Sequence, residues 1–236
     1  MSTKIRERLV GELEIFDSMR INIVAEKFLH GYYTNKDYTD LHISFFENLK
    51  EKFDYIGFAF VSNYGFNVFQ DGDLLKRINN SYFEIDIERI EPFKSELHFK
   101  GCFNGSGEDL DIMEQHELEM ELTILGKIKG SQLPLWKELL FSFYYLYETA
   151  NYRVAFIQLF SCLEAYLEFM GAEDGNIEEK VKSLVSASLL SGGYEDNLHR
   201  IRLKRNKLVH GTDEAVRKRD VKEFFDFFCS TYRLSN

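Results

Sequence analysis

Proline is nearly absent from this chain: Pro92 and Pro134 are the only two in 236 residues. Long stretches can therefore run as unbroken helix or strand. Cysteine is scarce too, with 3 residues (Cys102, Cys162, Cys229) far apart and no Cys-x-x-Cys pair. That argues against a disulfide framework or a thiolate zinc site, and for free thiols in a reducing compartment. Long apolar runs are missing. The opening MSTKIRERLVGELE lacks the apolar core of a signal peptide. The most apolar stretch, 133–170, is interrupted by Lys137, Glu138, Glu148, Arg153, Glu164 and Glu168. Two soluble helices tolerate such charges and a membrane span does not. A cytoplasmic protein with no membrane partner is the expectation.

Several chemistries lack their residues. The glycine-rich Gly101–Gly107 stretch has no lysine and no following helix, so a hairpin turn is expected there in place of a phosphate loop. Asp71-Gly72-Asp73 is followed by Tyr82 where a calcium loop needs glutamate. His98 and His116 stand near acidic residues but at no ligand spacing. Neither a serine elbow nor a Cys/His arrangement is evident. No metal and no cofactor is expected.

What the chain has in quantity is aromatic residues, 22 Phe and 13 Tyr, and acid, with a formal net charge of −10. The acid is uneven. Residues 1–130 carry 15 basic and 24 acidic side chains (15 − 24 = −9), and residues 131–236 carry 14 and 15 (14 − 15 = −1). Residues 200–222 hold 9 basic against 3 acidic (9 − 3 = +6). A basic island thus interrupts an acidic protein, although a solvated helix face would have the same composition.

Periodicity changes near residue 130. Glu117–Ile124 and Tyr82–Glu88 alternate apolar with charged, Leu97–Lys100 does so briefly, and Tyr55–Val61 and Arg20–Phe28 are further strand candidates. Leu41, Phe45 and Leu49 recur at spacing four, which predicts a helix over 40–52. Asp71–Asp73 reads as a turn. Residues 1–130 therefore read as an α+β domain with an antiparallel sheet. Residues 131–236 read as an all-α bundle. Ser131 would cap a first helix with Pro134 in its first turn, and Asn151 would open a second ending at Gly171. A third is expected over 177–190 and a fourth from Glu195 to His210, stopped by Gly211. Thr212 would cap a fifth.

The fourth helix carries Arg205-Asn206-Lys207-Leu208-Val209-His210-Gly211. Leu198, Ile201, Leu208 and Val209 would form its apolar stripe, with Arg205 projecting from the middle. A guanidinium there is costly unless an anion meets it. Glu164, between Ile157, Phe160 and Leu167 on the second helix, is the expected partner. Asn206 and His210, four apart, share a neighbouring face. Arginine, amide and imidazole together suit a phosphate.

With these residues in place, 131–236 resembles a HEPN domain. The likeness rests on Arg205-x4-His210 in its Arg-Asn-x-Leu-Val-His-Gly form and on Leu163-Glu164-Ala165-Tyr166-Leu167 in an earlier helix. It says nothing of 1–130. The resemblance implies a homodimer whose paired motifs line one cleft and cut RNA without a metal. Arg205, His210 and Asn206 would be catalytic and Glu164 supporting. Arg202, Lys204 and Lys207 would hold the RNA backbone by charge. Such proteins often serve defence or toxin systems, and residues 1–130 would select substrate or receive a regulatory protein or ligand. Two other readings stay open: a non-catalytic dimeric module binding nucleotide, RNA or protein, and a structural dimer with Arg205–Glu164 as a buried bridge.

Overall fold

A computed structural model describes residues 3–26, 32–35, 38–70, 73–78, 83–105, 115–190, 195–211 and 215–235. The chain divides into two compact units. One is Phe16–Ser131; the other joins Met1–Ile15 to Gln132–Asn236. Among the described residues no helix is long and apolar enough to cross a membrane.

The first unit is built from β1 (Asp17–Glu26), β2 (Tyr32–Asn35), β3 (Tyr38–Asn48), β4 (Phe53–Gln70), β5 (Asp73–Ile78), β6 (Phe83–Glu91), β7 (Glu96–Gly105) and β8 (Gln115–Ile128). They form two four-stranded sheets, ordered β1-β8-β4-β5 and β2-β3-β7-β6. The recorded pairings are antiparallel. The period-two pattern of β8 explains its central place. Leu118, Met120, Leu122 and Ile124 are buried, while Glu119 and Glu121 between them are half-exposed. Ile21, Ile23, Leu49, Phe53, Ile56, Ile85, Leu97 and Phe99 complete that core. Gly126 sits where β4 crosses β8; a Cβ there would lie 2.3 Å from the Tyr55 carbonyl oxygen.

Three expectations need correcting here. The helix predicted over 40–52 is strand β3, paired with β7 from Thr39↔Gly105 to Asn48↔Glu96. A spacing of four is also twice the strand period, and the aromatic content of Ile43-Ser44-Phe45-Phe46 favours the strand. Consequently, the unit has no α-helix among its described residues, beyond a 3-10 turn at Pro92–Lys94. Gly101–Gly105, read as a turn, is the end of β7. The rest of that predicted turn, and Asp71-Gly72, lie outside the described residues.

The second unit holds α1 (Thr3–Glu7), which runs into a π turn at Arg8–Glu12, then α2 (Leu135–Glu148), α3 (Tyr152–Phe169), α4 (Ile177–Ser186), α5 (Glu195–Val209) and α6 (Lys218–Ser235). α3 is apolar on most of its circumference, with Phe156, Leu159, Phe160, Leu163, Tyr166 and Leu167 among its buried residues. That places it at the centre, in contact with α2, α4, α5 and α6. Trp136 packs against Tyr166, Phe228 and Tyr232. Cys162 and Cys229 are buried thiols outside any disulfide; the side chain of Cys102 lies outside the described residues.

Residues 1–15, grouped with the first domain on sequence, belong with these helices. Ile5, Leu9, Leu13 and Ile15 are buried. Arg8 donates to Asp226 at 2.8 Å and lies over the Phe225 ring, and Lys137 donates to the Glu14 carbonyl at 2.7 Å. Helix starts also shift. The Ser131 hydroxyl donates to Asp17 at 2.6 Å, so Pro134 occupies the cap of α2 without a side-chain bond. Asn151 caps α3 without one as well. Asn176 forms a full capping box with Glu179 on α4, which no expectation named. Thr212–Glu214 lie outside the described residues, and α6 begins at Lys218, where the Arg217 amide donates to Asp220 at 2.8 Å.

Candidate functional site

α5 ends as its sequence dictates. Its last residue is Val209, the His210 amide still donates to the Asn206 carbonyl at 3.0 Å, and Gly211 turns the chain away at φ +79°. His210 is exposed, and its imidazole has no partner among the described residues. Asn206 is half-buried and accepts a 3.3 Å bond from Arg205 Nη1.

Arg205 lies within the core-facing stripe, as expected. Its guanidinium carbon is 5.2 Å from the centroid of the Phe160 ring, a cation–π stack. Its Nε is buried and has no hydrogen-bond partner among the described residues. A buried donor left open is uncommon in folded proteins and invites an acceptor from elsewhere. Val209, expected in the same stripe, is instead 48% exposed, because the helix ends there and nothing covers it.

The predicted Glu164–Arg205 bridge is not formed: no ion pair or hydrogen bond joins the two. Glu164 is only half-buried, so the premise that it demanded a cation was too strong. Burial raises its carboxyl above the usual glutamate range, against the opposing pull of Arg205 and Lys180, while Glu168 adds to the rise. Lys180 itself is buried and bonded to Glu168. A carboxyl raised in the folded state favours folding when protonated, and that contribution is lost as pH rises through its folded range. Glu164→Gln is therefore expected to match or exceed the wild type in thermal stability at pH 7, with the difference closing in acid below the carboxylate range.

The basic island is less free than its composition implies. Arg202 pairs with Glu178 at 3.0 Å, Lys204 with Asp220 at 3.0 Å, and Arg219 with Glu223 at 3.1 Å. Both Arg202 and Lys204 are half-buried, whereas Lys207 is exposed. The Arg202 Nε, like that of Arg205, is buried without a hydrogen-bond partner among the described residues. Away from α5, His98 pairs with Glu96 at 2.5 Å. Among the described residues no three potential metal ligands gather.

Sequence reasoning missed Arg153, in the first turn of α3. Its Nη2 donates to the Leu208 carbonyl at 2.9 Å, satisfying an acceptor that the end of α5 leaves open. This ties the turn bearing Asn206 and His210 to the central helix. Nothing in local spacing reveals a contact across 55 residues. Phe160 was more accessible: it precedes Glu164 by one turn on α3, the face on which Arg205 was already expected to dock.

Arg205 and His210 are not bonded to each other, and on an ideal helix their side chains leave about 140° apart. On that geometry they leave α5 on different sides. Comparison of this chain with family models, curated proteins and solved structures returns no match.

Proposed function

We propose that the second unit is a metal-independent endoribonuclease of the HEPN type, acting as a homodimer. The single observation that carries this is the state of the motif on α5. It combines a stacked arginine with an open buried donor, an amide bonded to it, and an exposed, unpartnered histidine at the helix end. In the proposed reaction the 2′-OH of the RNA attacks the adjacent phosphate, which releases the 5′-oxygen of the next nucleotide. His210 moves the proton, and Arg205 stabilises charge on the phosphorane-like transition state. Asn206 holds the Arg205 fork. Arg153 fixes the turn that presents His210 and is a positioning residue. The spread of Arg205 and His210 around one helix is the reason to invoke a second copy, whose motif would complete the cleft.

A non-catalytic module is the alternative, favoured by the half-buried placement of Arg205, which suits an anion anchor as well as a catalyst. Incubating a mixed RNA pool with the full chain in EDTA separates the two. Cleavage supports the nuclease, and retention of RNA by the wild type but not by Arg205→Ala, without cleavage, supports the module. The sheet unit is proposed to regulate access or select substrate, and a defence or toxin role follows from the family resemblance alone.

A further inference from the structure

Lys204, Lys207 and His210 succeed one another at spacing three, so they form one ridge along α5. From His210 to Lys204 the helix rises by about 9 Å. At the Lys204 end the ridge meets a cavity of about 470 Å³, within the range of small-ligand sites. It lies between α5 and α6, both of which pack on α3. Phe156 from α3, Ile201 from α5 and Phe224 from α6 are buried in its floor, and Phe227 lines one wall. Lys204 reaches Asp220 across it, with its Nζ 5.8 Å from the Phe156 ring centroid.

The two rims differ in kind. On α6 the rim offers carboxylates that each already hold a cation: Asp220 has Lys204, Glu223 has Arg219, and Asp226 has Arg8. On α5, Asn197 and Arg200 line the cavity with no partner among the described residues. One rim therefore presents open donors, the other acceptors, with an aromatic floor between. The Glu223–Arg219 pair is a surface i,i+4 contact in which Arg219 is 84% exposed, so Glu223 can be shared at little cost. A ligand with an anion at one end, a flat ring, and N–H donors at the other matches this layout. A nucleotide has that form, and guanine alone among the bases sets two adjacent N–H donors against both oxygens of one carboxylate.

We infer that the α5–α6 groove is a guanine subsite, one or two nucleotides along the RNA from the phosphate served by His210. Arg200 holds the phosphate, Phe227 stacks the base, and Glu223 accepts from its edge. The inference rests on the ribonuclease reading for its substrate, not for its geometry.

The test uses the full-length His210→Ala chain, so that binding is read without cleavage. Tetranucleotide RNAs with and without one guanine, and guanosine monophosphate alone, are titrated by calorimetry. The guanine tetranucleotide is expected to bind about tenfold tighter than its adenine counterpart, the discrimination a bidentate contact gives. Adding Glu223→Gln should erase the preference. Adding Arg200→Ala should weaken both RNAs alike. Tighter binding of the tetranucleotide than of the monophosphate assigns the unit to RNA, whereas equal binding overturns the subsite in favour of a free-nucleotide site. Equal affinity for the two tetranucleotides, or a preference that survives Glu223→Gln, also overturns it. If the wild-type chain cleaves no RNA but the preference and its loss are seen, the nuclease reading fails and the groove stands. If cleavage proceeds without any guanine dependence, only the groove fails.

Discussion

Arg205→Ala is expected to lower RNA cleavage by about 100- to 1000-fold, the loss that follows removal of one positioned donor from a developing charge. Its effect on folding should be small. The guanidinium makes one 3.3 Å bond to Asn206 and a stack on Phe160, and it leaves its Nε open. A cation–π contact contributes about 0.5–1 kcal/mol at an exposed site and about 2 kcal/mol when desolvated; Arg205 is half-buried, and removing an unsatisfied buried donor offsets part of that. A net change within about 2 kcal/mol follows, in contrast to the roughly 3–5 kcal/mol expected from breaking a buried ion pair. Thermal unfolding and single-turnover cleavage of the same preparation separate the two. Large destabilisation with cleavage unchanged would assign Arg205 to the core alone. Arg205→Lys is an informative companion: it keeps the charge and loses the planar fork, so cleavage should recover only in part.

Leu9→Ala is the second large effect, and it falls on stability. Leu9 is fully buried in the π turn, with Ile5 and Leu13 buried one turn to either side. Emptying such a site costs about 2–5 kcal/mol, through lost transfer energy and the cavity left behind. The chain provides its own reporter. Trp136 is the only tryptophan and is buried in the helical unit, so its fluorescence follows that unit. The denaturation midpoint of the tryptophan signal should fall sharply in Leu9→Ala. Gly11→Ala is the control: it is exposed, and a Cβ there meets nothing within 4 Å. An unchanged midpoint in Leu9→Ala would show that the first 15 residues do not belong to the bundle. The same packing means that a fragment of 131–236 lacks part of its own core. The proposed regulation of access by the sheet unit therefore has to be tested in the full chain.

The architecture was legible where one period prevails over a long stretch. β8 alternates for eight residues and could face only one way, and the helices after residue 130 are closed by stops such as Gly171 and Gly211. β3 was misread because Leu41, Phe45 and Leu49 satisfy both periods, and its partner residues on β7 lie from 96 − 48 = 48 to 105 − 39 = 66 residues further along. The N-terminal turn was missed because Ile5, Leu9 and Leu13 form a short run, and the contacts that tie this segment to the helices, Arg8 to Asp226 and Lys137 to Glu14, reach far along the chain. At the site, Arg205, Asn206 and His210 were legible from spacing on a single helix. What spacing could not supply was the neighbourhood. Glu164 proved half-buried and unbridged, Arg153 arrived from the far end of α3, and Glu178 and Asp220 had taken up cations counted as free.

The most direct test of the account is the chemical nature of the RNA ends made in EDTA by the full chain and by His210→Ala. Fragments ending in 2′,3′-cyclic phosphate, with 5′-hydroxyl partners, and none from His210→Ala, are the predicted result. Cleavage that persists in His210→Ala, or no cleavage by the wild-type chain, would contradict it.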